Sequence, residues 1–74
     1  MYEEIDSLVI AKNIKALRLK AKLTQEQMAE QLGYSLRQYR RLETNGTHNL
    51  GILNLIAYTF NVSAIGILEN KDAF

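Results

Sequence analysis

Apolar residues recur at helical spacing along the chain, and short polar segments separate the runs. The first stripe has the spacing i, i+4, i+7 and i+11 and consists of Ile10, Ile14, Leu17 and Ala21. It predicts a first helix over residues 7–20, which Asp6 or Ser7 can cap. We expect residues 1–6 and 71–74 to be mobile ends.

Two further helices follow in close succession within LTQEQMAEQLGYSLRQYRRLE, residues 23–43. Thr24 and Ser35 are each followed three residues later by a glutamine, which is the spacing of a capping box. Gly33 suits the left-handed residue that ends the first of these helices. A helix from Thr24, a short turn, and a helix from Ser35 to about Thr44 predict a helix-turn-helix over residues 24–44.

The last third of the chain predicts two more helices. Asn49 can cap a fourth helix that runs to Phe60, and Ser63 can cap a short fifth helix. The expected inner stripe of the fourth helix is Leu50, Leu53, Ala57 and Phe60. With no proline and 74 residues, the chain is expected to form one all-α domain over residues 1–74.

The composition of the sequence excludes several classes of function. The sequence has no cysteine, which excludes disulfides, thiol catalysis and thiolate metal sites. It has no apolar run near the ~20 residues of a membrane span, and the acidic start MYEEID does not resemble a signal peptide. We therefore expect a cytoplasmic protein with no membrane partner.

Charge is unevenly distributed although the net charge is only +1. Residues 12–41 hold eight of the nine Lys and Arg residues with two Glu residues, so this stretch carries +6. Residues 1–11 carry −3 and residues 42–74 carry −2. A basic centre between acidic ends favours a polyanion-binding face, although a solvated lysine and arginine surface has the same pattern.

On these residues the chain resembles the Cro/cI-type helix-turn-helix family of phage repressors and their bacterial relatives. The resemblance covers about residues 10–68 and is carried by NIKALRLKAKLTQEQMAEQLGYSLRQYRRLE, above all by LTQE, Met28-Ala29, Leu32-Gly33, Ser35 and Leu42-Glu43. It implies a five-helix lambda-repressor-like fold that binds operator DNA.

The helix from Ser35 has the character of a recognition helix. At 100° per residue, Arg37, Arg40 and Arg41 share one face, opposite the expected core positions Tyr39 and Leu42. Such a helix turns its first residues to base edges in the major groove. The candidate base-reading residues are Arg37, Arg41, Leu36 and Gln38. Expected phosphate contacts are Thr24, Gln25, Tyr34, Ser35, Arg40 and Thr44.

For three of these residues the sequence leaves more than one role open. Leu36 departs from the family, several members of which have a polar base-reading side chain there; it can meet a thymine methyl group or simply pack near the turn. Gln38 can serve the capping box alone, and Tyr34 can be a packed surface ring. The resemblance also implies that Gln25 contacts phosphate and supports the recognition helix.

Two further expectations concern the pair Arg18 and Glu43 and the position of Tyr39. Arg18 and Glu43 align with a family pair that forms a partly buried salt bridge between the first helix and the end of the recognition helix. Tyr39 replaces an aliphatic core residue of the family, and we expect its ring in the core with its hydroxyl near the surface.

One recognition helix offers few base contacts, so we expect a homodimer on a pseudo-palindromic operator in double-stranded DNA. Additional apolar positions on the last two helices predict the dimer interface: Ile52, Leu55, Ile56, Ile65 and Leu68. No cofactor, metal or small-molecule ligand is expected, since His48 is the only histidine and no nucleophile–base pair appears. An enzyme is therefore not expected.

The sequence leaves other functions open. Within DNA binding, the first alternative to a transcriptional repressor is the controller protein of a restriction–modification system, which has this size and whose loop the Asn49-Leu50 pair resembles. The other is an antitoxin that represses its own operon. A protein-interaction module that keeps the fold without binding DNA is a different class. The exposed arginines argue against that module, because a protein-docking face should be more apolar.

Overall fold

A computed structural model describes residues 6–69, and these residues form five α-helices without a strand. The helices are α1 (Ser7–Lys20), α2 (Gln25–Leu32), α3 (Leu36–Asn45), α4 (Leu50–Phe60) and α5 (Ala64–Glu69). The predicted all-α fold with a central helix-turn-helix is confirmed. The expected mobility of residues 1–5 and 71–74 concerns residues outside the described range.

Polar caps set the helix boundaries, as the sequence predicts. Asp6 is the N-cap of α1, and its side chain accepts from the Leu8 amide at 2.8 Å. Asn49 accepts from the Ile52 amide at 3.1 Å at the start of α4. Ser63 accepts from the Ile65 amide at 3.2 Å before α5. Each cap satisfies a backbone amide that the helix itself leaves without a partner.

All five helices contribute side chains to one hydrophobic core. α1 packs against α3 and α5, α2 packs against α3 and α4, and α4 packs against α5. The largest fully buried side chains of the core are Ile10, Ile14, Met28, Tyr39, Leu53, Ile56 and Ile67. Burial of these side chains supplies most of the stabilisation available to so short a chain.

A buried polar residue also connects the first and last helices. Asn13 is 3% exposed, and its Nδ2 donates to the backbone oxygen of Ile67 at 2.6 Å. An unpaired amide at this depth would be costly, so the bond both satisfies Asn13 and fixes α5 against α1.

Three predictions about apolar positions are wrong. Ala21 is exposed, because α1 ends at Lys20 and Ala21 is only its C-cap. Leu50, expected on the inner stripe of α4, is 68% exposed. Ile56, expected in the dimer interface, is 0% exposed and belongs to the core of a single chain. α4 is apolar around most of its circumference, so periodicity alone did not identify its inner face.

The other predicted interface residues retain different amounts of surface. Ile52, Leu55 and Leu68 are half-buried and pack against the core, whereas Ile65 is 60% exposed. Ile65 therefore has the largest free apolar surface of the predicted set.

Candidate nucleic-acid interface

The turn between α2 and α3 is fixed by its glycine and by two capping boxes. Gly33 has φ of +76°, which is left-handed backbone, and the Tyr34 amide donates to the Ala29 oxygen at 2.9 Å. Thr24 and Gln27 exchange bonds of 2.9 and 3.1 Å. Ser35 pairs with Gln38 at the same distances. Since both helix starts are capped, the direction of α3 relative to α2 is well determined.

The outer face of α3 is basic and solvent-exposed. Arg37, Arg40 and Arg41 are exposed on this side, while Tyr39 and Leu42 are buried on the other. The predicted division of α3 into two faces is confirmed. A shallow surface depression follows the basic face and is lined by Leu36, Arg37, Arg40, Arg41, Thr44 and Asn45.

The three arginines of α3 differ in their hydrogen bonds within the chain. Nε of Arg40 donates to Oε1 of Gln25 at 3.2 Å. Arg37 and Arg41 have no hydrogen bond or ion pair to any residue in the range 6–69. Their donors are therefore free to meet an external acceptor, while Arg40 is already oriented by α2.

Beneath this face, the Glu43 carboxylate accepts hydrogen bonds from side chains on α1, α2 and α3. Nε of Arg18 lies 2.5 Å from Oε2 of Glu43, and Nη2 of Arg18 lies 3.3 Å from Oε1. Nε2 of Gln25 donates to Oε1 at 3.1 Å, and the Tyr39 hydroxyl donates to Oε2. Nη1 of Arg18 also donates to the Leu23 oxygen at 2.9 Å. The predicted Arg18–Glu43 salt bridge is present and joins α1 to α3.

Burial and hydrogen bonding shift the pKa values of this cluster. Burial alone would raise the pKa of Glu43, but the hydrogen bonds from Arg18, Tyr39 and Gln25 outweigh it, and its pKa lies below the usual value. Burial and the bond to Glu43 raise the pKa of Tyr39. The bond to Glu43 raises the pKa of Arg18. Glu43 is therefore a carboxylate, and Tyr39 a neutral donor, at neutral pH.

A second depression connects the start of α2 with the start of α3. It lies beside the first turn of α2, where backbone amides and the helix dipole give a positive potential. Its lining residues are Arg18, Thr24, Gln25, Glu26, Leu36 and Arg40. This surface continues into the basic face through Leu36 and Arg40, so the two depressions form one continuous surface.

The remaining predicted site residues lie around this surface. The Thr24 and Ser35 hydroxyls act as caps, and the Gln38 side-chain oxygen is occupied by its capping box. Tyr34 is half-buried against the core and lines an apolar hollow with Gln38, Arg41, Leu42 and Ile52. Thr44 is exposed on the basic face.

Sequence reasoning missed three features of the site. Tyr39 is 0% exposed, and its hydroxyl is covered by Glu43, to which it donates. Its i, i+4 spacing to Glu43 was the available signal for the bond. The bond from Arg40 to Gln25 depends on how two helices cross, which no local pattern shows. Asn45, which lies just beyond the predicted end of the helix at about Thr44, is the last residue of α3 and lines the basic face.

Two other kinds of feature concern residues 6–69: metal-binding clusters and membrane-spanning helices. No group of three or more His, Cys, Asp or Glu side chains there is arranged to hold a metal ion. Of the five described helices, none is long and apolar enough to cross a membrane.

Comparison with known proteins identifies one family. The helix-turn-helix family matches residues 14–66, a range that includes the second half of α1, all of α2, α3 and α4, and the first part of α5. Searches of curated proteins and of solved structures give no match.

Proposed function

The chain belongs to the helix-turn-helix family of Cro/cI-like regulators that bind DNA, and from this premise we propose that it is a sequence-specific transcriptional repressor. In this proposal two copies bind a pseudo-palindromic operator, and α3 of each copy enters the major groove. The nucleoid is then the place where the protein works.

The free guanidinium groups of Arg37 and Arg41 carry the proposal. Both side chains are exposed on one face of α3, about one helical turn apart, with no partner in the described chain. Arginine can bind guanine O6 and N7 with two hydrogen bonds, which discriminates against other bases by about 1–3 kcal/mol. We assign base reading to Arg37 and Arg41, with Leu36 and Gln38 beside them at the N-terminal end of α3.

A second group of residues is assigned to the DNA backbone. Arg40 keeps its two Nη groups available, because only its Nε is bonded to Gln25. Thr24 and Gln25 lie at the start of α2, where a phosphate would meet backbone amides and a positive helix end. We assign Tyr34, Ser35 and Thr44 as further phosphate contacts.

The proposed dimer uses the uncharged last third of the chain. Between Glu43 and Glu69 the sequence contains no Asp, Glu, Lys or Arg. The exposed large apolar side chains of this segment are Leu50 at 68%, Tyr58 at 88% and Ile65 at 60%. Depletion of charge together with exposed aromatic surface is typical of an interface core. We therefore place the dimer contact on Leu50, Tyr58 and Ile65, with Leu55, Leu68 and Ile52 half-buried in the same two helices.

Sedimentation tests the dimer directly. Tyr58→Lys should shift the protein toward monomer, because a twofold contact would bring two ammonium groups together. The matched control is Leu19→Lys, since Leu19 is also an exposed apolar residue (56%) but lies on α1. A wild-type protein that sediments only as a monomer, both free and on DNA, contradicts the proposed dimer.

Sequence specificity is tested by titrating the protein against genomic DNA fragments at two salt concentrations. We expect a small, discrete subset of fragments to remain bound at the higher salt, because base contacts persist when phosphate contacts weaken. A reporter gene placed behind a bound fragment should then lose expression when the protein is present. Uniform loss of all fragments would contradict specific binding.

A further inference from the structure

Leu36 is an unusual residue for its position in the fold. It is the first residue of α3 and is half-buried, but it is not one of the eight half-buried apolar side chains that pack against the core. Instead it lines both surface depressions, between the arginines of α3 and the start of α2. The core therefore does not account for a leucine here.

The chemistry of base edges limits what this leucine can recognise. Its side chain has no donor or acceptor, so pressing it against a polar base edge would remove hydration without replacing it. In the major groove the apolar group offered by a normal base is the C5-methyl of thymine. A C5-methyl on cytosine presents the same apolar group at the same edge.

We propose that Leu36 recognises the C5-methyl group of a pyrimidine in a base pair beside the one that Arg37 reads. Leu36 and Arg37 are consecutive at the N-terminal end of α3, the end that such helices point at the bases. The inference rests on the proposed function, because it requires α3 to enter the groove. It adds to that function a methyl group as a specific determinant of the operator.

The test begins with a duplex selected by wild-type protein from a randomised pool. Each thymine is then replaced in turn by deoxyuridine, which removes only the methyl group, and each cytosine is replaced by 5-methylcytosine, which adds one. We expect one symmetry-related pair of positions at which a methyl group changes the Kd by about fourfold per half-site. A loss at thymine identifies thymine as the source, and a gain at cytosine identifies 5-methylcytosine.

The same substitutions are then measured with Leu36→Ala. The methyl dependence should disappear at that position, while the preference for guanine opposite Arg37 is retained. Leu19→Ala is the control, because it truncates an exposed leucine on α1 and should leave the methyl dependence intact. Leu36→Asn gives a second variant that keeps a branched side chain of similar size but cannot make an apolar contact.

The outcomes separate this inference from the proposed function. If a sequence is selected but no methyl position matters, or if the dependence survives in Leu36→Ala, the role of Leu36 is overturned while specific binding stands. If wild-type protein selects no sequence from the pool, the proposed function itself fails. Methyl dependence in wild-type protein that is lost in both Leu36 variants supports the inference.

Discussion

Arg40 and Gln25 are joined by a hydrogen bond of 3.2 Å from the Nε of one to the Oε1 of the other. Because Gln25 also donates to Glu43 at 3.1 Å, this bond extends a chain of contacts from the partly buried salt bridge to the exposed basic face. Arg40 is thereby oriented before any DNA is bound, whereas Arg37 and Arg41 are not. We interpret Arg40 as an anchor for phosphate and the other two as readers of sequence.

Arg40→Ala should weaken binding to every duplex by a similar factor. Loss of one phosphate contact is expected to reduce the slope of log Kobs against log salt by about one, without changing which sequence is preferred. Fluorescence anisotropy with a selected and a scrambled duplex, at several salt concentrations, measures both quantities. Lys12→Ala is the control, since it removes the same charge from an exposed position on α1. An unchanged slope in Arg40→Ala would show that Arg40 is not an anchor.

Tyr39→Phe should destabilise the fold by about 2 kcal/mol, because it deletes one donor to a buried carboxylate while keeping the ring in the core. Urea unfolding followed by circular dichroism measures the change. In the background Glu43→Gln the same substitution should cost clearly less, since the acceptor is then uncharged. Equal costs in the two backgrounds would mean that the Tyr39 hydroxyl does not stabilise Glu43.

Acid should remove the stabilisation that Glu43 provides. Its pKa in the folded state lies below the unfolded value of about 4.3, so the native state binds fewer protons than the unfolded state. The contribution is therefore complete above that unfolded pKa and is lost as pH falls through the folded pKa. The difference in unfolding free energy between wild type and Glu43→Gln should be constant at pH 6–7 and shrink steadily below pH 4. A difference independent of pH would contradict this account.

Substitution by alanine should cost more at Gly46 (ψ −165°) than at Gly33 (ψ 25°). Both have positive φ, +70° and +76°, but a Cβ at Gly46 would meet the Ser7 backbone oxygen at 1.8 Å, whereas a Cβ at Gly33 would meet nothing within 4 Å. Gly33→Ala should cost about 1 kcal/mol from strain alone. Gly46→Ala should cost about 3 kcal/mol or more, because the start of α1 must shift. Thermal unfolding of both variants checks the order, and a cost at Gly46 no larger than that at Gly33 would contradict it.

The helix-turn-helix itself could be predicted from local sequence. Thr24 with Gln27, Gly33, and Ser35 with Gln38 are short-range signals whose geometry depends on neighbouring residues, and each has the structure expected of it. The amphipathic pattern of α3 likewise predicted that its arginines and Tyr39 lie on opposite faces. The prediction was possible because α3 has few apolar residues that could define a different buried face. Such features are determined within one helix or one turn.

Features that depend on tertiary arrangement could not be predicted in this way. Ile56 and Leu50 exchange their expected roles, because α4 has apolar residues on almost every side and only its packing selects the inner face. The bonds that Gln25 makes to Arg40 and Glu43 require two helices to cross at a particular angle. The Arg18–Glu43 pair was anticipated from family resemblance and not from spacing, since 25 residues separate the two.

The most direct test of the central claim is the affinity of Arg37→Ala and Arg41→Ala for a selected duplex and for a scrambled duplex of the same length. If α3 reads bases through these arginines, each variant should lose about tenfold or more in the ratio of the two Kd values, consistent with about 1–3 kcal/mol per bidentate contact, while its binding to the scrambled duplex changes little. If both variants keep the wild-type ratio, α3 does not read sequence through Arg37 and Arg41, and the account is contradicted.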